Sequence, residues 1–394
     1  MMMLLERPAF RNLQNILYST STVCSRVRRR KHISCLHSRF FKKSHFHSSC
    51  TLKNQDQINK SPSTLKNKII FSGIQPTGII HLGNYFGAIQ QWVNLQNNNE
   101  DVICSIVDLH AITLSNDPVA LKNDILTMAA SLFACGIDPH KATLFQQSKV
   151  PEHSQLNWVL NCLATMDRLK RQPQFKEKSK SLKVIPMGLF SYPVLQAADI
   201  LLYQTTHVPV GKDQEQHIFL SAELARKFNN LYGETFQVPE CLTLDENLGR
   251  VRNLRKPELK MSKSSRNSKS RIEILDSPDL IKEKIKKAMT DFTSEVYYDF
   301  ENRLGVSNLM TIHSAITGQT FDEIREEYAG VQTSDYKLSL ADIVIEYLLP
   351  MQKKMKELLS DKENLKQMLE IGNNKARSRA SVTWEIVSER VGFK

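Results

Sequence analysis

The stretch "FSGIQPTGIIHLGNYFGA" at residues 71–88 decides how the chain is read. A short apolar, strand-like run ends in a Gly/Pro-rich loop, and His81-Leu82-Gly83-Asn84 then opens a helical pattern. Gly and Pro punctuate turns in most proteins, so the motif alone also fits an ordinary turn. Its chemistry offers a second meaning. The first amides of a helix lack backbone partners and carry partial positive charge, which suits phosphate. Gly83 would let a nucleotide approach the backbone, and His81 and Asn84 carry hydrogen-bond donors.

The following segments repeat the alternation. "KIIFSGI" (68–74) reads as a strand and residues 83–96 as a helix. "DVICSIVDLHAI" (101–112) reads as a second strand, 117–137 as a helix with Pro118 near its start, "ATLFQQS" (142–148) as a third strand and 151–166 as a helix. Such alternation predicts an α/β fold, a Rossmann-like parallel sheet covered on both faces, with ligands outside the carboxyl ends of the strands. From residue 276 the pattern changes. "DSPDLIKEKIKKAMTDF" opens on a capping Asp or Ser with Pro278 in the first turn, and residues 336–394 are almost wholly helical in composition. We therefore expect an α/β domain over 61–275 and a helical C-terminal domain over 276–394.

Composition limits the remaining possibilities. The 394 residues allow two or three domains, and no apolar run reaches the ~18 residues of a membrane span. Of the net charge of +12, ten units lie in residues 1–55, where eleven Lys/Arg face the single acid Glu6. The rest of the chain is nearly neutral. In this arm Leu4, Leu5, Phe10, Leu13, Ile16 and Leu17 can share one side of a helix, and acids are scarce. That is the composition of a mitochondrial transit peptide, so residues 1–60 are expected to be an address to the mitochondrial matrix. A basic arm that binds RNA is the alternative. Cys24, Cys35 and Cys50 lie in the arm; Cys104, Cys135, Cys162 and Cys241 are far apart, with no Cys-x-x-Cys pair and no metal-ligand spacing among the histidines.

A second loop, "RKPELKMSKSSRNSKSR" (255–271), concentrates Lys260, Lys263 and the hydroxyls of Ser262, Ser264 and Ser265. Alone it reads as a solvated basic surface loop. Beside a phosphate-facing helix start it gains a purpose, because one element would hold ATP and the other bring cations to its phosphates.

At this point the chain resembles the class I aminoacyl-tRNA synthetases. "HLGN" (81–84) is similar to their His-Ile-Gly-His element, and "KMSKS" (260–264) matches their second element letter for letter. "SGIQPTG", "GNYFGAI", "VDLHAIT", "QFKEKS" and "AADILLYQTTHVPVGKDQEQH" follow the order and rough spacing of the tryptophanyl-tRNA synthetases of the bacterial and organellar type. The resemblance covers nearly all of residues 68–394. The class pattern ends its first element in His, whereas the tryptophanyl branch commonly has Asn, as at Asn84. The related tyrosyl enzymes would need polar groups arranged for a phenol hydroxyl, and the long "AADILLY…VPVGKDQ" block argues against them.

The resemblance implies roles. Gln75, Pro76, Thr77, Gly83 and Asn84 would meet ATP, with Gly211, Lys212 and Asp213 at its ribose and Val251 at adenine. Lys260, Met261, Ser262, Lys263 and Ser264 would form the mobile phosphate loop, and Lys260, Lys263, Asn84 and His81 would act in catalysis, with Lys176 and Lys178 as further cations. For tryptophan, Phe71, Val208 and Val210 would wall the ring, while Tyr192 and Gln214 hold the amino group. Asp199, in a helix apolar enough to be buried, would accept the indole N–H, since a lone buried carboxylate demands a partner. His110 is either near the site or a core histidine. Gln196 stands where the bacterial branch commonly has Met. The implied cofactors and partners are ATP, Mg2+, L-tryptophan and tRNA(Trp), with no resident metal site, and the implied assembly is a homodimer. The basic run Lys375, Arg377 and Arg379 is expected to meet tRNA phosphates.

Overall fold

The structure, a computed structural model, describes residues 68–113, 117–180, 182–211, 215–243, 251–263, 265 and 267–394. The expectations for the basic arm and for Lys212, Asp213, Gln214 and Ser264 fall outside the described residues.

Five parallel strands form one sheet: β1 (Ile69–Ile74), β2 (Asp101–Ile106), β3 (Thr143–Gln146), β4 (His207–Val210) and β5 (Glu240–Thr243), in the order β3-β2-β1-β4-β5. This is the Rossmann-like arrangement expected from the alternation. Between β1 and β2 run α1 (Leu82–Asn84), a π turn over Tyr85–Ile89 and α2 (Gln90–Asn97). Between β2 and β3 lie α3 (Asp108–Ala111) and α4 (Pro118–Ala134). Helices α5 (Glu152–Leu163), α6 (Met166–Lys170), α7 (Pro173–Ser179) and α8 (Met187–Leu201) lead to β4, and α9 (Glu215–Tyr232) leads to β5. The chain continues through α10 (Pro278–Lys286), α11 (Leu304–Thr317), α12 (Phe321–Glu327), α13 (Thr333–Ser360) and α14 (Lys362–Arg390).

Local chemistry sets several boundaries. Asp117 accepts from Val119 N and Pro118 occupies the first turn of α4; Ser277 and Pro278 start α10 in the same way. The apolar run at 101–112 does not continue as strand beyond Ile106, because Asp108–Ala111 turn into α3 and carry His110 to the strand's carboxyl end.

The sheet divides two cores. On β2, Val102, Cys104 and Ile106 belong to one core, shared with α4, α10, α11 and α13, while Ile103 belongs to the other, shared with α5, α8 and α9. Successive strand side chains alternate faces, so a continuous apolar run feeds both cores. The C-terminal helices are not packed apart from the sheet: Leu309, Tyr336 and Leu348 share a core with Val102 and Leu144. Helix α14 passes from one core to the other. Leu365 and Leu369 join the first, and Ala376, Ala380 and Val387 the second. It crosses at Gly372, where an added Cβ would lie 1.7 Å from the backbone oxygen of Leu144. Only glycine lets the helix sit this close to the edge strand.

Candidate active site

Strands β1 and β4 pair only at Ile70↔His207, whereas β1–β2 and β4–β5 keep longer registers. Their carboxyl ends therefore diverge where the strand order reverses, which is the position at which open α/β sheets bind ligands. A cleft of about 730 Å³ opens there. Phe71 and Gln75 border it from β1 and its following loop, and Val208, Val210 and Gly211 from β4. Tyr192, Gln196 and Asp199 of α8 and His110 of α3 complete the wall.

Asp199 is 1% exposed, and the protein itself surrounds its carboxylate with donors. His153 Nδ1 lies 2.6 Å from Oδ1 and His110 Nε2 2.9 Å from Oδ2. Gln147 Nε2 reaches both oxygens, at 2.7 and 2.9 Å. The expectation of a lone carboxylate is thus corrected. Burial pushes the Asp199 carboxyl up, but the hydrogen bonds from His110 and His153 outweigh it and hold the group below the usual carboxylate range. An ionised carboxylate only accepts, so His153 Nδ1 and His110 Nε2 carry protons toward it. His153 Nε2 faces Tyr203 Oη at 2.8 Å, and Tyr203 stacks on Phe71. Tyr192 Oη lies 3.2 Å from His217 Nε2.

The two sequence loops meet each other at the start of α1. His81 caps α1, its Nδ1 accepting from Asn84 N at 3.2 Å. Burial, and then the charges of Lys263, Arg271 and Lys260, lower the His81 pKa to about 3. The ring is neutral, with its proton on Nε2. Leu82 N donates to Ile272 O, and Ile274 N donates to Ile80 O, so the chain after the lysine loop is stitched to the chain before α1. A Cβ at Gly83 would press on the His81 ring and on Met261 Cβ at 3.1 and 3.2 Å. Space at this glycine is taken up by the partner loop, a packing reason that the motif alone did not reveal.

Lys263 completes the junction by donating to Thr77 O at 2.7 Å and Gly78 O at 3.2 Å. Burial lowers its pKa to about 8, partly offset by Glu273 and Asp124. Val251 and Met261 are buried under the loop, and Met261 N donates to Val251 O. Lys260 and Lys176 are exposed. Asn84 Oδ1 is buried and has no partner among the described residues, an acceptor left open for a donor such as a hydroxyl.

Phe71, Gln75, Tyr192, Asp199, Val208, Val210 and Gly211 therefore share the cleft, while His81, Gly83, Asn84, Val251, Met261 and Lys263 gather at the loop junction. His153, Gln147 and His217 escaped the sequence reading. Their one signal was position, since Gln147 and His153 follow β3 at the sheet's carboxyl edge.

Comparison with known proteins agrees with this geometry. The family model of class I tRNA synthetases (W and Y) matches residues 64–349. "Tryptophan--tRNA ligase 2" of Streptomyces avermitilis is 45% identical over 327 residues, covering 82% of this chain and 96% of that protein. The crystal structure of tryptophanyl-tRNA synthetase from Mycoplasma pneumoniae superposes with a TM-score of 0.75 at 31% identity, covering 83% of this chain and 98% of that one. The Campylobacter jejuni enzyme, complexed with ADP and tryptophan, gives 0.71 at 36% identity over 82% and 99% of the two chains. The fold and the family match over 64–349 are those of a class I tRNA synthetase. Within that class, the chain belongs to the tryptophan–tRNA ligase family.

Proposed function

We propose that the enzyme activates L-tryptophan with ATP and transfers it to tRNA(Trp) for mitochondrial translation. The observation that carries the reading is the cleft at the β1/β4 divergence, lined by the buried Asp199 and by Gln75, two residues before the Thr77 that Lys263 binds. Its volume suits an amino acid together with a nucleotide. A tryptophan carboxylate oxygen bonds to the α-phosphorus as the bond to the β-phosphate oxygen breaks, giving tryptophanyl-adenylate and pyrophosphate. A hydroxyl at the 3′ end of tRNA then attacks the acyl carbon, and AMP leaves. Positioning and charge supply the acceleration.

In this reading, Phe71, Val208 and Val210 hold the indole, Asp199 accepts its N–H, and Tyr192 and Gln214 face the amino group. Gln75, Pro76, Thr77, Gly83, Gly211, Lys212, Asp213 and Val251 hold the nucleotide, with Asn84 Oδ1 as an acceptor for ribose. Neutral His81 donates from Nε2, while Lys260 and Lys263, with Met261, Ser262 and Ser264 around them, bring charge to the phosphates. Among the described residues no three His, Cys, Asp or Glu groups converge as metal ligands. Mg2+ is assigned to the phosphates of ATP, the hard oxygen ligands it prefers. Exposed Lys353, Lys354, Lys356 and Lys362 around the α13–α14 turn offer tRNA phosphates a basic face. Large exposed apolar side chains on neighbouring helices, Trp158 of α5 and Phe219 of α9, support a homodimer.

The mitochondrial assignment rests on the acid-poor arm at 1–60, upstream of where the family match begins at residue 64. A C-terminally tagged full chain should enter the mitochondrial matrix and a chain starting near residue 60 should stay outside it, while the purified shorter chain charges a tRNA(Trp) transcript. An unchanged location after truncation would contradict the targeting role.

A further inference from the structure

Two of the donors that hold Asp199, Gln147 and His153, come from the short segment that follows β3. Both are completely buried. β3 is an edge strand, and its free edge is covered by α14. Gln146 N, an edge donor one residue before Gln147, is capped by Asn373 Oδ1 of α14 at 2.9 Å. Asn373 is itself buried and donates from Nδ2 to Glu370. Asp108 fastens the same strand end to α3, accepting from Gln146 Nε2 at 2.7 Å and from Ser148 N at 2.9 Å. That short helix carries His110, the third donor to Asp199.

The position of all three donors thus depends on where the end of β3 sits, and α14 seats it. Gly372 sets the distance through its contact with the Leu144 backbone, and Asn373 sets the register. We propose that Asn373 is a positioning residue for tryptophan recognition, acting through Gln146 on the donors that orient Asp199. The proposal rests on the reading of Asp199 as the acceptor of the indole N–H. A shift of a few tenths of an ångström in these donors turns the carboxylate away from the ligand while leaving the nucleotide loops untouched, because those loops hang from β1 and from residues 251–274.

The test compares Asn373→Ala, Asn373→Asp and Arg379→Ala in the full chain, by tryptophan-dependent ATP–pyrophosphate exchange and by melting temperature. The substrates are tryptophan and its analogue with sulfur in place of the ring N–H. Asn373→Ala should raise the KM for tryptophan about fivefold, the worth of one hydrogen bond. The KM for ATP should stay within about twofold, and the preference for tryptophan over the sulfur analogue should shrink. Asn373→Asp, made together with Glu370→Gln so that no second carboxylate faces it, keeps an acceptor for Gln146 N and should restore the preference. Arg379→Ala loosens the same helix at Asp101, the first residue of β2, and should lower the melting temperature without changing the preference. Equal changes in both KM values, or the same loss of preference in Arg379→Ala, would overturn the proposal. A wild-type enzyme that does not distinguish the two amino acids would instead overturn the reading of Asp199 on which it stands. Should Asn373→Ala fail to fold, the preference of Asn373→Ser decides the same question.

Discussion

Lys263 donates to the carbonyl oxygen of Thr77 at 2.7 Å, joining two loops that lie 186 residues apart in the chain. Its ammonium is half-buried and bound to neutral carbonyls. An arriving phosphate offers it a far better acceptor, so its charge contributes most where negative charge grows.

Lys263→Ala should slow adenylate formation ~10²-fold, the usual cost of one donor aimed at a developing charge, and leave tryptophan affinity nearly unchanged. Single-turnover kinetics check this. An effect confined to tryptophan binding would remove Lys263 from the chemistry.

The same residue sets a pH dependence. Its pKa is lowered to about 8, so the useful charge is present below that pH and is lost as pH rises through it. kcat/KM for ATP, which reports the free enzyme, should fall on the alkaline side with a midpoint near this value. In Lys263→Arg, whose guanidinium stays charged, the falling limb should move to higher pH even at reduced activity. An unmoved limb assigns the titration elsewhere.

His81 links the site to acid stability. Its pKa is lowered to about 3 in the folded chain, below the ordinary 6.5 that it regains on unfolding. A group of this kind costs nothing above the ordinary value and progressively destabilises the fold as pH falls from there toward 3. At about pH 4.5 the cost reaches roughly 3 kcal/mol. Urea unfolding between neutrality and that pH should show a shallower loss in His81→Gln than in wild type, and parallel losses would contradict the neutral, buried imidazole.

The basic run at the C-terminus also has partners within the chain. Arg379 forms a paired contact with Asp101 at 2.8 and 2.8 Å, Lys375 Nζ donates to Pro139 O at 2.7 Å, and Arg377 lies 4.0 Å from Glu152. Arg379 ties α14 to the start of β2, while Lys375 and Arg377 reach the loop before β3 and the start of α5. Because they are partly exposed, Arg379→Ala should cost only about 1 kcal/mol. It should lower the melting temperature and leave adenylation and tRNA charging nearly unchanged, and a selective loss of charging would assign Arg379 to the tRNA surface.

The strand–helix alternation and the two loop motifs were legible in the sequence because each carries its own period or spacing. The parallel sheet followed from that alternation, while the strand order came only with the structure. What stayed hidden was who contacts whom across distance. "KARSR" reads as a charged face in any chain, and only the packing at Gly372 brings it against Asp101 and Pro139. Asp199 drew attention as a buried acid, yet its three donors come from segments dozens of residues away and have no mutual spacing. Gly83 was legible as a necessary glycine, though the neighbour that requires it, Met261, was not.

Those donors also change what the pocket should do. With His110, His153 and Gln147 already bound, the Asp199 carboxylate has about one acceptor position left of its roughly four. Loss of the indole N–H should therefore cost about one hydrogen bond, ~1–2 kcal/mol, and not the far larger penalty of a naked buried charge. Tyrosine lacks both the bicyclic shape and a donor at that point. The decisive measurement is ATP–pyrophosphate exchange by the chain from residue 60 onward, with tryptophan, the sulfur analogue and tyrosine compared side by side. Tryptophan should give the highest kcat/KM, the sulfur analogue roughly tenfold less, and tyrosine at least a thousandfold less. Exchange with tyrosine equal to that with tryptophan, or full activity with the sulfur analogue, would contradict a pocket built around Asp199.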